Sequence, residues 1–568
     1  MGNKVSRTLA TILIFLLVIN LGHGQNGKGQ LLNVRDFHAK GDGTTDDTAA
    51  IQEAISASTE GDTVYIPAGA YLVRSLGLKS GINIKGEGML IQRIEGEKEE
   101  VTNEKQNSSS PMFRGHNISN VFLSINAQTV YEAAYFSGSS NITIYQSTLL
   151  GDPLNPLSFS GLLFYDCKNV VIENSRINYY GASRELPDTY QRGTAIRVLS
   201  SQEIKVNDNE ITRNGENGVF LHDTPDVEIT NNVISSNGMS AIQVAFGTTG
   251  REKNYYFTNN VMEENAADAI DINNRSDRPH WDINCHIENN ISRNNGYVKG
   301  QSTPDGSGIG TLINISGVTM LNNIAEGNNR PALYIESCGR IYASGNQADN
   351  QAEVVLRFDE LILEDNAFGS ISLLANADGN KLSMTNNKLY SMSLPNGIKV
   401  DSMILNKNLI SQASLNFNMT GNIQLVENTI NSHSKDGAIL LVKINSALLE
   451  RNIITSMGSH AISTRKTAEN VEILNNDIKS VNSCIFDHGA KGLRIMGNKL
   501  LSLEGGRFRH TIVSRSPNQL VLSKNEHSTS AENITIYLEG KGTAHIAGEN
   551  ILSGAVEYGT VNVKTSLD

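Results

Sequence analysis

Six segments between residues 194 and 337 hold the residue types that proton-transfer chemistry needs: TAIRVLS, GVFLHD, AIQVAF, AIDINN, GIGTLI and ALYIES. If each is a β-strand with its Ile, Val and Leu turned inward, the outward side chains fall into two columns. The first reads Arg197, Phe220, Gln243, Asp271, Gly310 and Tyr334; the second reads Leu199, His222, Ala245, Asn273, Leu312 and Glu336. Adjacent rungs lie about 4.8 Å apart, so Gln243 abuts Asp271, and His222 lies diagonally next to both Gln243 and Arg197. Imidazole, carboxylate and guanidinium together supply a base, a proton carrier and a cation. His222, Asp271, Arg197 and, from the segment RPHWD, His280 are the catalytic candidates. Gln243, Asn273, Arg275, Tyr180 and Trp281 are the substrate-binding candidates. Asp271, Asn273 and Asp277 offer oxygen ligands that suit Ca²⁺, at a spacing unlike an EF-hand loop, and no cofactor is required. The plainer roles are a solvated histidine, a surface ion pair worth little, and a tryptophan packed under its own loop.

Such columns require strands stacked in register, and the chain repeats accordingly. The pattern apolar-x-apolar-x-x-Asn recurs as VVIEN ending at Asn174, VEITNN at Asn232, YYFTNN at Asn260, CHIENN at Asn290, VTMLNN at Asn323 and onward to LVLSKN at Asn525. From Asn323 to Asn498 the spacings are 23, 20, 21, 21, 20, 24, 24 and 22 residues. A period this short suits a coil of three short strands. Asparagine at the turn tolerates the left-handed backbone region and, stacked on successive coils, bonds to its equivalents. The expected fold is all-β: a single-stranded right-handed parallel β-helix, a solenoid of about sixteen coils with an N-terminal capping helix. Between Asn174 and Asn323 the spacings lengthen to 35, 23, 28, 30 and 33. The extra residues must leave the rod as loops, and loops on a rigid scaffold commonly carry function. YYGASRELPDTYQRG, GTTGREKNYY, NRSDRPHWD and GYVKGQSTPDGSG would wall a groove over residues 175–310.

Asp46 and Asp47, in GDGTTDDTAAIQ, invite a catalytic reading, but they precede the apolar face of Ala50, Ile51, Ala54 and Ile55 and fit a helix N-terminus better. TVYIPAGAYLV supplies the first strands. Lys4 and Arg7, the apolar run Ala10 to Leu21 and the small-residue end Gly22-His23-Gly24 read as a signal peptide cut near Gly24, for a secreted or periplasmic protein. The chain divides into a signal peptide (1–24), a cap with first strands (25–90), coils with insertions (91–330) and minimal coils with a C-terminal cap (331–568). A net charge of −12, with 39% hydrophobic residues and one Trp, argues against nucleic acid as partner. No downstream segment is long and apolar enough for a membrane span. Cys167, Cys285, Cys338 and Cys484, without a CxxC, read as small buried hydrophobes.

The stretch NVRDFHAKGDGTTDDTAAIQEAI followed by DTVYIPAGAYLV resembles the N-terminal segment of the pectate-lyase-like superfamily of right-handed parallel β-helix proteins, which includes polygalacturonases, alginate epimerases and lyases. The resemblance covers about Asn33 to Gly88 and implies the fold and a polysaccharide ligand, but the segment does not carry the chemistry, since fold does not choose the reaction. The family's catalytic signatures are incomplete here. GTAIRVLSS lacks the Asp and His of the epimerases' Asp-Pro-His-Glu stretch, and beyond residue 24 there is no Gly-His-Gly and no Arg-Ile-Lys. Two enzymatic readings follow. A lyase or C5-epimerase takes the proton beside a uronate carboxylate, for which Arg197, Arg275, His222, His280, Tyr179 and Tyr180 are suitable types. A hydrolase needs two carboxylates about 5–9.5 Å apart, for which Asp271 would join Asp268, Asp277 or Glu336. A glycan-binding surface protein without catalysis is the third reading.

Overall fold

A strand ending in an asparagine turn, repeated every twenty to thirty-five residues, stacks most simply on its own copies. The computed structural model describes residues 29–94, 96, 98–99, 107–152, 159–181, 193–274, 282–296, 306–375, 377–418, 420–505, 510–529, 534–552 and 554–566. The signal-peptide segment lies outside the described residues. One coil shows the plan: Ile196–Leu199, Gln202–Asn207 and Glu210–Thr212 pair in parallel with Val219–His222, Val227–Thr230 and Val233–Ser235 of the next coil. These positions define the first, second and third sheets of a right-handed parallel β-helix. Parallel pairing links the described strands from Leu31–Asn33 to Ala555–Ser566.

Alternation along each strand builds the interior. In the second sheet Ile204, Val227, Tyr255, Cys285, Val318 and Ile341 stand one above another, each at most 2% exposed. Branched side chains dominate such columns because they fit a pleated surface at fixed rotamer. The four cysteines are free and buried, and burial pushes the Cys167 thiol up to about 11 and the Cys338 thiol to about 12. They are the inert hydrophobes expected from their spacing.

The asparagine turn divides its work between two neighbouring residues. Asn231, Asn259, Asn289, Asn322, Asn386 and Asn475 take left-handed backbone angles, with φ between 54° and 58°. The residue after each enters a buried ladder. Asn260, for example, donates from Nδ2 to Asn290 Oδ1 at 3.1 Å and to Ile229 O at 2.8 Å. Its own Oδ1 accepts the backbone N–H and the Nδ2 of Asn232, both at 3.0 Å. The ladder runs from Asn209 to Asn550. Asn174 is not a rung. It is the left-handed residue (φ 52°), and Ser175 holds the ladder position by donating its N–H to Asn209 Oδ1 at 2.9 Å.

The N-terminal end is closed by the helix Thr48–Ala57, which gives Ile51, Ala54 and Ile55 to the core. The two aspartates before it act differently from a simple cap pair. Asp47 occupies the cap position but makes no side-chain cap bond; its carboxylate accepts the N–H groups of Lys40 and Gly41, at 2.6 and 3.0 Å, and pins the preceding loop. Asp46 instead accepts the Thr48 hydroxyl and N–H, and pairs with Arg74 at 2.7 Å. These bonds, the Thr48 hydroxyl first, hold the Asp46 carboxyl down to about 2 against an ordinary 3.8. A depressed acid stabilises the fold above its unfolded value, and that contribution disappears as pH falls from about 4 to about 2. Thermal melts across this window should show Asp46→Asn with a shallower acid-induced drop than the parent chain; parallel curves would remove Asp46 from the acid response.

Candidate active site

The outer face of the first sheet carries the expected polar columns. Its register runs Arg197, Phe220, Gln243, Asp271, and then Thr311 and Tyr334. The second column runs Leu199, His222, Ala245, Asn273, Ile313 and Glu336. The sequence-based columns therefore slip by one residue at the strand Gly310–Ile313: Thr311 and Ile313 face outward, while Gly310 and Leu312 are buried. Ile309 and Leu312 are both buried, yet three residues apart they have opposite parity in a strand. The chain rounds a corner at Ile309, and only Leu312 marks the phase of the strand.

Gln243 and Asp271 occupy adjacent rungs, as expected, and Gln243 Nε2 donates to Asp271 Oδ2 at 2.9 Å. Gln243 Oε1 accepts from Asn217 Nδ2 at 2.9 Å, and Asn217 Oδ1 accepts the Ser240 N–H. Backbone thus orients Asn217, which orients Gln243, which orients the carboxylate. His222, at the far end of its strand, places Nδ1 3.1 Å from Ala245 O. A carbonyl only accepts, so Nδ1 carries the proton and a neutral ring keeps its lone pair at Nε2. Arg197 leans the other way. Its guanidinium lies 4.7 Å over the Phe220 ring and reaches Glu216, which precedes the next strand, at 3.5 Å. Asn273 Oδ1 is buried with no hydrogen-bond partner among the described residues.

Other candidates separate from this group. Tyr180 is a correction: it is 3% exposed, and Thr129 donates to its hydroxyl at 3.2 Å inside the core, where burial raises the phenol far above its usual range. The backbone turns at its neighbour Tyr179 (φ 66°), which sends the two rings to opposite sides. Tyr179 is the accessible one, with its hydroxyl accepting from Arg213 at 2.8 Å. Asp268 is 3% exposed, and its carboxylate accepts the N–H groups of Gly306 and Ser307 at 2.9 and 2.6 Å, which suits anchoring a corner more than chemistry. Arg275, Asp277, His280 and Trp281 lie outside the described residues. Among the described residues no three or more His, Cys, Asp or Glu side chains converge as metal ligands.

Sequence reasoning missed a second buried ladder beneath the site. Asn214, Asn237, Asn265, Asn295 and Asn328 bond Nδ2 to Oδ1 in series at 2.9–3.0 Å, at the corner between the third and first sheets. Its signal was present: each is five residues beyond a rung of the long ladder, at Asn209, Asn232, Asn260, Asn290 and Asn323. In the minimal coils the same offset lands on Ile371, Met392 and Ala413, where one strand runs from the third sheet into the first without a polar corner.

Fold and site together define a right-handed parallel β-helix protein with a polar outer face on its first sheet. Residues 31–291 match the family described as rhamnogalacturonase A/epimerase, pectate lyase-like. Over these residues, just under half of its length, the chain is similar to the pectate-lyase-like superfamily of right-handed parallel β-helix proteins. It is 46% identical over 83 residues to the mannuronan C5-epimerase AlgE2 of Azotobacter vinelandii, covering 12% of this chain and 8% of that protein. Alginate lyase 7 of the same organism is also 46% identical over 83 residues, covering 12% of this chain and 10% of the lyase. The matched part therefore spans about a tenth or less of these curated relatives. Among solved structures, the A-module of the Azotobacter vinelandii epimerase AlgE4 aligns with 94% of this chain and 99% of its own, at 15% identity and a TM-score of 0.27.

Proposed function

We propose that this protein is an exported lyase or C5-epimerase acting on a uronate-containing polysaccharide. The observation that supports this reading best is the tautomer of His222, whose Nδ1 is committed to Ala245 O and whose Nε2 is left as a base on the same outer face as Asp271. His222 Nε2 would take the proton beside the uronate carboxylate, and Asp271, oriented by Gln243, would be the second proton carrier. It serves the departing oxygen in a lyase or the opposite face of the carbon in an epimerase. The charge that develops on the carboxylate needs a cation. Arg197 supplies one at the edge of the face, and Asn273 Oδ1 with the Asp271 carboxylate offers oxygen donors of the type Ca²⁺ takes. The kinship with an epimerase and a lyase of uronate polymers is consistent with this chemistry.

The test is incubation of the full chain with alginate and with polygalacturonate, each with and without Ca²⁺. Unsaturated uronate is followed by ultraviolet absorbance, reducing ends by colour, and solvent proton exchange at C5 by NMR. Absorbance with reducing ends identifies a lyase, and exchange without cleavage an epimerase. Reducing ends without unsaturation would overturn the proposal in favour of a hydrolase built on Asp271 and Glu336, two rungs apart on the same face.

A further inference from the structure

The first sheet continues far beyond His222 and Asp271, and its C-terminal coils carry a different surface. Asp271 and the level of Phe486 are separated by nine rungs, about 43 Å, through Thr311, Tyr334, Glu353, Ser372, Ser393, Ser414 and two further coils. There the residue following the inward triplet Thr464, Asp487 and Ser514 is, in successive coils, Arg465, His488 and Arg515. All three occupy one corner of the rod, one rung apart. Lys466 follows Arg465, and Lys443 lies one coil earlier.

This corner concentrates positive charge on a protein whose net charge is −12. Lys443, Arg465 and Lys466 are exposed and make no ion pair among the described residues. Arg515 pairs with Glu539 at 2.7 Å, and Asp487 lies below the surface with its carboxylate engaged by the Thr464 and Ser514 hydroxyls and the N–H groups of Gly489 and Ala490. The cations stand beside a ring cluster. Phe486 is 5% exposed, with His460 at 4.3 Å, His488 at 4.8 Å and the Arg515 guanidinium at 5.2 Å from its ring. Burial and the neighbouring arginines keep both histidines below their ordinary range, His460 at about 4, so near neutral pH the rings are uncharged platforms beside permanent cations.

We propose that this corner, built from Arg465, Lys466, His460, His488 and Arg515, is an ancillary binding site for an anionic glycan strand bearing carboxylate or sulfate groups. Arg465 and Arg515, two rungs apart with the unpaired Lys466 beside the first, match charges spaced along an extended chain, and the flat imidazole faces between them suit sugar rings. The permanent cations supply attraction; the rings supply contact area without competing charge. The site stands apart from the groove and does not rest on the reaction assigned there. Its position would hold a long polymer on the same face that presents His222 and Asp271.

The test is affinity electrophoresis of the full chain through gels containing polygalacturonate, dextran sulfate or neutral dextran, with duplex DNA as a competitor. Arg465→Ser/Lys466→Ser removes two exposed side chains without a partner, so an unchanged thermal midpoint is expected as the folding control. The double variant is expected to lose about tenfold in retardation by the anionic glycan, with the loss shrinking as salt rises. Arg465 and Lys466 lie eight rungs from Asp271, so the double variant is expected to leave any turnover of a short uronate oligomer unchanged, which separates this site from the first one. Stronger loss on polygalacturonate assigns a carboxylate ligand, and stronger loss on dextran sulfate a sulfate ligand. Equal retention by neutral dextran, undiminished binding by the double variant, or displacement by duplex DNA at lower concentration than either glycan would overturn the proposal.

Discussion

Asn260→Ala is expected to destabilise its part of the rod by about 3–5 kcal/mol. The side chain closes four hydrogen bonds, to Ile229 O, to Asn290 Oδ1, and from the N–H and Nδ2 of Asn232. Alanine leaves the Asn232 N–H buried without an acceptor and the Ile229 carbonyl short of a donor, and each orphaned group costs about 1–3 kcal/mol. The neighbouring Asn259 makes the control. Its work is its left-handed backbone (φ 57°), so Asn259→Gly should be nearly neutral and Asn259→Ala should cost about 1–2 kcal/mol. A solenoid transmits strain mainly to adjacent coils. Hydrogen exchange should therefore rise around residues 229–290 and stay unchanged near residue 500, with chemical denaturation giving the size. If Asn260→Ala costs no more than Asn259→Ala, the ladder is not a structural support.

The second large effect is chemical. Asp271→Asn should lower turnover on the responsive uronate polymer about 10²–10³-fold with little change in thermal stability. The amide keeps an oxygen to accept from Gln243 Nε2, at 2.9 Å in the parent, and replaces only the oxygen that carries charge and proton. His222→Ala should fall by a similar factor, because it removes the base at Nε2 along with the Nδ1 contact to Ala245 O. Gln243→Ala should cost less, about tenfold, by releasing the carboxylate from its orienting donor. Initial rates and melting curves on the three variants decide the matter. Near-parental rates in both Asp271→Asn and His222→Ala would place the chemistry elsewhere on the rod.

Much of this architecture is legible in the amino-acid order because a solenoid repeats each local rule. The long ladder was visible as recurring asparagine, and the pairing of Gln243 with Asp271 as strict alternation over four consecutive strands. Legibility failed at corners, where alternation stops. Ile309 and Leu312 are both apolar and buried, so inwardness alone could not phase the strand between them, and the columns slipped to Gly310 and Leu312. Tyr179 and Tyr180 differ by one residue and one positive φ, which decides surface or core. Asp46 and Asp47 were expected together at the helix N-terminus, yet which carboxylate meets the helix and which meets the loop depended on three-dimensional reach. The second ladder was the plainest omission, since its offset of five residues was available in the chain.

That second ladder also bears on how such a protein diversifies. Asn214, Asn237, Asn265, Asn295 and Asn328 offer the same amide docking point at successive levels, and the described residues Gly181 with Gly193, and Gly296 with Gly306, stand together beside this corner. At both levels the flanking glycines lie against each other, so the two ends of the intervening segment are held together: beside Asn295 at one level and, at the other, beside Tyr180, whose N–H bonds to Asn214. Segments can then be lengthened, shortened or exchanged between levels while the barrel underneath keeps its register. A lineage can vary these segments one level at a time without rebuilding the frame beneath them.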